Sequence, residues 1–183
     1  MKTCNSTDKR VLKTKHSLKT SLIMLLSEKD IDEISVVELS ERAFVNRKTF
    51  YLHYDEVKSV LKEIEDELIE KIISKLKTES VEFSELDDYV FDVLNIINNN
   101  QYAFNLLRCK KYNDEFISKI TKTLIDFFTN KSTKRNDENL FFINYHIHGS
   151  LKMYYNWLNN SYKGLTFEEL CELLSKAIIK GFK

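Results

Sequence analysis

The sequence predicts an all-α fold in which a small N-terminal three-helix unit is followed by a larger helical one. Three observations carry that expectation. The 183 residues include no proline and only three glycines, Gly149, Gly164 and Gly181, and contain neither an Asn-Gly nor an Asp-Gly dipeptide. Hairpin-rich β-folds and phosphate-cradling loops both need such residues in number and close together, so both are excluded. Apolar residues recur at spacings of three and four along most of the chain, which is the helical period. Polar punctuation at Ser35, Asn46, Ser84, 98–100 and 130–136 then cuts the pattern into separate helices.

The first helix is expected over residues 8–27, with Val11, Leu12, Lys15, Leu18, Leu22, Leu25 and Leu26 on one face and lysines on the other. Ser35-Val-Val-Glu38 has the form of a capping box and opens a short second helix that turns Val36, Leu39 and Ala43 inward and ends near Ala43-Phe44. Asn46 caps a third, Arg47-Lys-Thr-Phe-Tyr51. Two short helices across a turn of about three residues form a helix-turn-helix layout. A long helix follows from Asp55, with Val57, Val60, Leu61, Ile64, Leu68, Ile72 and Leu76 as its apolar stripe and acidic residues on faces expected to be solvated. Ser84-Glu-Leu-Asp87 reads as another capping box, opening a helix through Tyr89, Val90, Val93, Leu94 and Ile97. Further helical patterns cover 101–109, 114–129, 138–159 and 167–182, with a polar loop at 130–136.

Composition bounds the chemistry. Lys plus Arg and Asp plus Glu number 28 each, yet the charge is unevenly spread. Residues 1–54 hold ten basic against seven acidic groups, 55–97 five against thirteen, and 98–183 thirteen against eight, giving blocks of +3, −8 and +5. The neutral total hides a basic head. Cys4, Cys109 and Cys171 lie far apart without CxxC spacing, which argues against a disulfide framework or zinc ribbon. His146 and His148 stand two apart on a helix and cannot share a face, so no metal pair forms there. No nucleophile–base pair or paired carboxylate site has workable spacing, and neither an enzyme nor a cofactor is expected. No secretory or membrane-spanning stretch is evident, so the expected location is the cytoplasm, away from membranes.

Residues 35–61 read SVVELSERAFVNRKTFYLHYDEVKSVL. This segment resembles the TetR/AcrR family of bacterial transcriptional regulators, whose DNA-binding unit carries a small-x-V-S/N-R-x-T-F/L-Y-x-H-F pattern. Ala43, Val45, Asn46, Arg47, Thr49, Phe50, Tyr51, His53 and Tyr54 match it. The resemblance implies a helix-turn-helix DNA-binding domain at 1–54 and a helical regulatory and dimerisation domain at 55–183. It also implies a dimer that binds palindromic double-stranded DNA, as a repressor released by a small-molecule or protein effector. A recognition helix presents short polar and basic groups to base edges while hydroxyls and amides hold phosphates. On that reading Arg47 and Lys48 read bases, Thr49, Tyr51 and Tyr54 offer hydroxyls, and Asn46 and His53 complete the motif. Phe50 anchors inward. Ser35 and Val36 serve another phosphate, while Lys9 and Lys13 add the salt-sensitive part of affinity. Two positions depart from the family. Phe44 stands where a glycine is usual, and the lysine expected three residues after the motif is replaced by Val57, with Lys58 one place later as the candidate contact.

In the C-terminal half, helix 138–159 is apolar on two sides and so needs two covers. Phe142, Gly149, Met153 and Trp157, with Leu170, Leu174 and Ile178 of the last helix, are the candidate dimer face. The resemblance places a ligand cavity among the middle helices, with Tyr89, Phe104, Phe116, Tyr145 and His146 as candidate lining. The competing reading in another class is a helical interaction module that keeps the fold without recognising an operator.

Overall fold

The computed structural model describes residues 6–76, 86–109, 112–132 and 136–180. Among them are nine α-helices: α1 (Ser6–Leu26), α2 (Val36–Arg42), α3 (Arg47–Tyr51), α4 (Val57–Lys75), α5 (Leu86–Asn98), α6 (Gln101–Arg108), α7 (Asn113–Lys131), α8 (Asp137–Leu158) and α9 (Phe167–Lys180). A single 3₁₀ turn, Ile31–Glu33, lies between α1 and α2. The expected Ser84 capping box lies outside the described residues, as do the side chain of Ile178 and the expected end of the last helix.

Local chemistry explains most helix starts. The Ser35 hydroxyl accepts from the Glu38 amide at 3.1 Å, Asn46 Oδ1 from the Lys48 amide at 2.9 Å, and Asn136 Oδ1 from the Asn139 amide at 2.9 Å. Asn100 Oδ1 accepts from both Tyr102 and Ala103 amides, at 3.0 and 3.1 Å. Each satisfies amide donors that the first turn would otherwise leave unpaired. The capping box expected at Ser35 is only half formed, because the Glu38 carboxylate turns instead to the Lys29 ammonium, 2.6 Å away. A complete reciprocal box stands at α9, where Thr166 Oγ1 accepts from the Glu169 amide at 3.2 Å and Glu169 Oε2 accepts from the Thr166 amide at 2.8 Å.

One continuous core runs through the molecule, and α4 is its axis. All seven residues of the expected α4 stripe, Val57, Val60, Leu61, Ile64, Leu68, Ile72 and Leu76, are buried. The helix packs on α1 toward one end of the chain and on α5, α6 and α7 toward the other. Leu18, Leu22, Leu25 and Leu26 bury the inner face of α1, whereas Leu12, expected on that face, is 63% exposed. Phe116, Phe128 and Tyr154 fill the C-terminal half with almost no exposure. α7 packs along α8, and α9 closes over α5 and α8.

The acidic faces of α4 are solvated only in part: Asp66, Glu67 and Glu70 are exposed, whereas Glu63 is half-buried and Glu65 buried. Lys15 lies 2.9 Å from Glu63, and Lys19 lies 2.8 Å from Glu63 and 2.7 Å from Glu67. Lys15 and Lys19 stand one helical turn apart, as do Glu63 and Glu67, so the two ladders match rung for rung. On another side, Glu65 is buried, accepts from the Tyr112 hydroxyl at 2.6 Å, and is held by the Lys119 ammonium. Burial, reinforced by the Glu65 carboxylate, pushes the Tyr112 phenol well above its ordinary range. α4 is thus tied by ionic contacts both to α1 and to α7.

Candidate nucleic-acid interface

The candidate recognition element is built by burying one residue of a five-residue helix. Phe50 is fully buried in the core that holds Leu39, Ala43 and the leucines of α1, and its ring packs on Tyr54 and Tyr51 at 5.8 and 5.4 Å. A helix this short cannot persist alone, so this anchor and the Asn46 cap define its orientation. The turn ahead of it is fastened to α1 by the Ser17 hydroxyl, which donates to the Ala43 carbonyl at 2.7 Å. Phe44 makes the turn at φ 55° with its ring 97% exposed. This is the left-handed conformation that glycine adopts freely and a bulky residue does not.

Opposite Phe50, α3 presents Arg47, Lys48 and Tyr51 to solvent. Arg47 keeps more than half of its side chain exposed, with the Glu41 carboxylate 3.9 Å away. Lys9 and Lys13 are exposed on α1, Ser35 is exposed with its oxygen accepting from Glu38, and Val36, Thr49 and His53 are half-buried. Two expected contacts are placed differently. Tyr54 is buried, and the Lys15 ammonium lies 5.4 Å above its ring, so its hydroxyl faces the interior instead of a phosphate. Burial, with Glu63 nearby, raises the Tyr54 phenol far above its usual range. Lys58 is drawn to Asp32 at 2.5 Å, tying the 3₁₀ turn to the start of α4. Sequence reasoning missed the exposure of Val37 and Leu52 beside these groups, and it missed the pairing of Lys15 and Lys19 with α4. The second was signalled by matching four-residue spacings of opposite charge, and the first by the inward sets Val36, Leu39, Ala43 and Phe50, which leave Val37 and Leu52 outside them.

No protein-family model matches the chain, and no curated protein does. Solved structures do. A TetR transcriptional regulator from Streptococcus agalactiae 2603V aligns over 94% of this chain and 97% of its own, at 24% identity and a TM-score of 0.60. The fatty acid degradation regulator FadR from Bacillus halodurans aligns over 93% and 96%, at 12% identity and a TM-score of 0.61. The dihydroxyacetone kinase operon activator DhaS aligns over 92% and 95%, at 16% identity and a TM-score of 0.56. The chain has the TetR-type fold.

Within this TetR-type fold the candidate dimer residues separate into two groups. Leu170 and Leu174 are buried inside the chain, where α9 packs on α5 and α8, and so do not form an outer face. Met153 and Trp157 are half-buried: the Trp157 indole donates to the Leu165 carbonyl at 2.8 Å and its ring packs on Phe167. Phe142 is half-buried at the edge of α8, and a Cβ added at Gly149 would meet open space. The outward stripe of α8 is instead Phe141, Tyr145, His148 and Lys152, with Phe141 and Tyr145 stacked at 6.3 Å and both more than 60% exposed. Its i, i+4, i+7, i+11 spacing forms one face.

The five candidate pocket residues are dispersed. Tyr89 lines a cavity of about 10 Å³ among Val93, Leu124, Phe128 and Ile147, room for about one water. Phe104 is half-buried beneath the Arg108 guanidinium at 5.7 Å, and Phe116 is core, stacked on Tyr112. Tyr145 faces solvent, and His146 is buried, which lowers its basicity. No described helix is long and apolar enough to cross a membrane, and no described group of His, Cys, Asp or Glu has the makings of a metal site.

Proposed function

We propose that the protein is a sequence-specific DNA-binding transcriptional regulator, a repressor that binds a palindromic site as a homodimer. The observation that carries this reading is the construction of α3. One buried aromatic and one side-chain cap hold a single turn of helix so that Arg47 and Lys48 project into solvent together. Such a surface matches guanine edges and phosphates in a major groove. Unit 1–54 supplies this head and 55–183 the dimer, through the outward stripe of α8 around Gly149. Two heads related by a two-fold axis then read half-sites about one helical turn apart. An effector, small molecule or protein, acts by favouring a different separation of the heads through α4.

The test is selection from random-sequence DNA with the full chain, followed by binding titrations at several salt concentrations. Wild type enriches a palindrome and binds it with strong salt dependence, and Arg47→Ala with Lys48→Ala lowers affinity at least tenfold, from about 1–3 kcal/mol per base contact. If wild type enriches no sequence, or the double variant binds as well as wild type, the regulator reading fails and an interaction module of the same fold takes its place.

A further inference from the structure

The helix-turn-helix carries apolar surface beside its hydrogen-bonding groups. Val37 is 37% exposed, Tyr51 58% and Leu52 78%. Arg47, Lys48 and Tyr51 of α3 and Leu52, the residue that follows it in helical backbone conformation, occupy one arc, because offsets of zero, one, four and five residues fall on one side of a helix. Phe50 fills the opposite side. Val37 precedes Glu41 by one turn on the same side of α2, and Glu41 reaches to 3.9 Å from Arg47, so Val37 stands one helical turn from the residue that meets this arc. The amide that would suit an adenine is already engaged, since Asn46 Oδ1 caps α3. Thr49 is half-buried. Two cations are left for guanine edges, Arg47 with Glu41 beside it, and the exposed Tyr51 and Leu52 follow them on the same arc. The major groove offers one apolar base feature, the 5-methyl group of thymine.

We infer that the chain reads thymine methyl groups with Val37, Tyr51 and Leu52, around a guanine contact from Arg47 or Lys48. This rests on the DNA-binding reading above and specifies its target: half-sites in which thymines flank a guanine. A water-exposed Leu52 and Val37 are poorly solvated in the free protein, and contact with a methyl group removes apolar surface on both sides.

The experiment replaces each thymine of the duplex selected by the full-length wild type with deoxyuridine, which deletes only the methyl group, and measures affinity by fluorescence anisotropy. Wild type loses about three- to fivefold at two or more positions per half-site, the loss expected for one methyl group returned to water. Leu52→Ala becomes insensitive at one of these positions and Val37→Ala at another, while thermal melts show both variants folded. If no deoxyuridine changes wild-type affinity while Arg47→Ala still weakens binding, the methyl reading is overturned with DNA recognition intact. If both alanine variants keep the full wild-type sensitivity profile, these side chains are not the readers. A wild type that selects no sequence overturns the DNA-binding reading itself, and this inference with it.

Discussion

Replacing Phe44 with glycine stabilises the protein, and the magnitude follows from two opposing effects. At φ 55° the Phe44 Cβ crowds the backbone, which costs an L-residue about 1–2 kcal/mol. The ring recovers almost nothing, being 97% exposed. The turn itself is held by main-chain bonds, Phe44 N–H to Glu41 O at 3.1 Å and Val45 N–H to Ser40 O at 2.9 Å, and glycine keeps both. Against the relief of strain stands the larger freedom of glycine in the unfolded chain, about 0.5–1 kcal/mol. The net gain lies between about 0 and 1.5 kcal/mol, with a midpoint of ~0.8 kcal/mol, or about 2–3 °C in Tm for a chain of this length. Thermal melts of wild type, Phe44→Gly and Phe44→Ala distinguish the cause. Alanine keeps the Cβ and therefore the strain, so its Tm stays at the wild-type value. A glycine variant that melts at or below wild type, or an alanine variant that rises equally, refutes the argument.

Other outcomes follow from the charged contacts and the α8 stripe. Glu65→Ala leaves the buried Tyr112 hydroxyl without its acceptor and destabilises by about 2–4 kcal/mol in chemical denaturation, whereas Glu65→Gln, which retains an acceptor, recovers at least half of that. Burial works against the Glu63 carboxylate, but Lys19 and Lys15 outweigh it and hold its pKa below 4.5. Burial also opposes the Lys19 ammonium, and Glu63 and Glu67 outweigh it to raise its pKa above 10.5. The carboxylate's contribution is therefore complete above pH 4.5 and lost as pH falls through its folded value. That of the ammonium is complete below pH 10.5 and lost as pH rises through its own. The stability difference between wild type and Glu63→Gln should be flat from about pH 5 to 10 and shrink on either side; a difference that persists unchanged in acid contradicts the pairing. If the proposed dimer forms through the outward stripe of α8, Tyr145→Glu yields a monomer by light scattering without lowering its helicity, since the side chain is exposed; a dimer that persists in this variant removes α8 from the proposed interface.

What the sequence made legible was local. Ser35, Asn46 and the α4 stripe are recognisable because a cap or an apolar period depends on residues a few positions apart, and the helix-turn-helix followed from them. Features that depend on distant partners were misjudged. Glu38 could not be seen to prefer Lys29 over its own helix start, nor Tyr54 to turn inward beneath Lys15. At α9 the apolar pattern permitted two faces, and only the packing of α5 and α8 decides that Leu170 and Leu174 are inside while Leu173 is 49% exposed. The candidate pocket suffered similarly, because aromatic residues at helical spacing look alike whether they close a core, as Phe116 does, or face water, as Tyr145 does.

The matching of Lys15 and Lys19 to Glu63 and Glu67 makes the head and body of this chain interdependent when parts are exchanged. A chimera joining residues 1–54 to the body of another TetR-type protein would leave Lys19, whose side chain is only 6% exposed, against an unmatched surface. Such grafts should misfold or lose stability unless Glu63 and Glu67 travel with residues 1–54, which places the usable crossover within α4, beyond the second carboxylate, and not in the loop between α3 and α4.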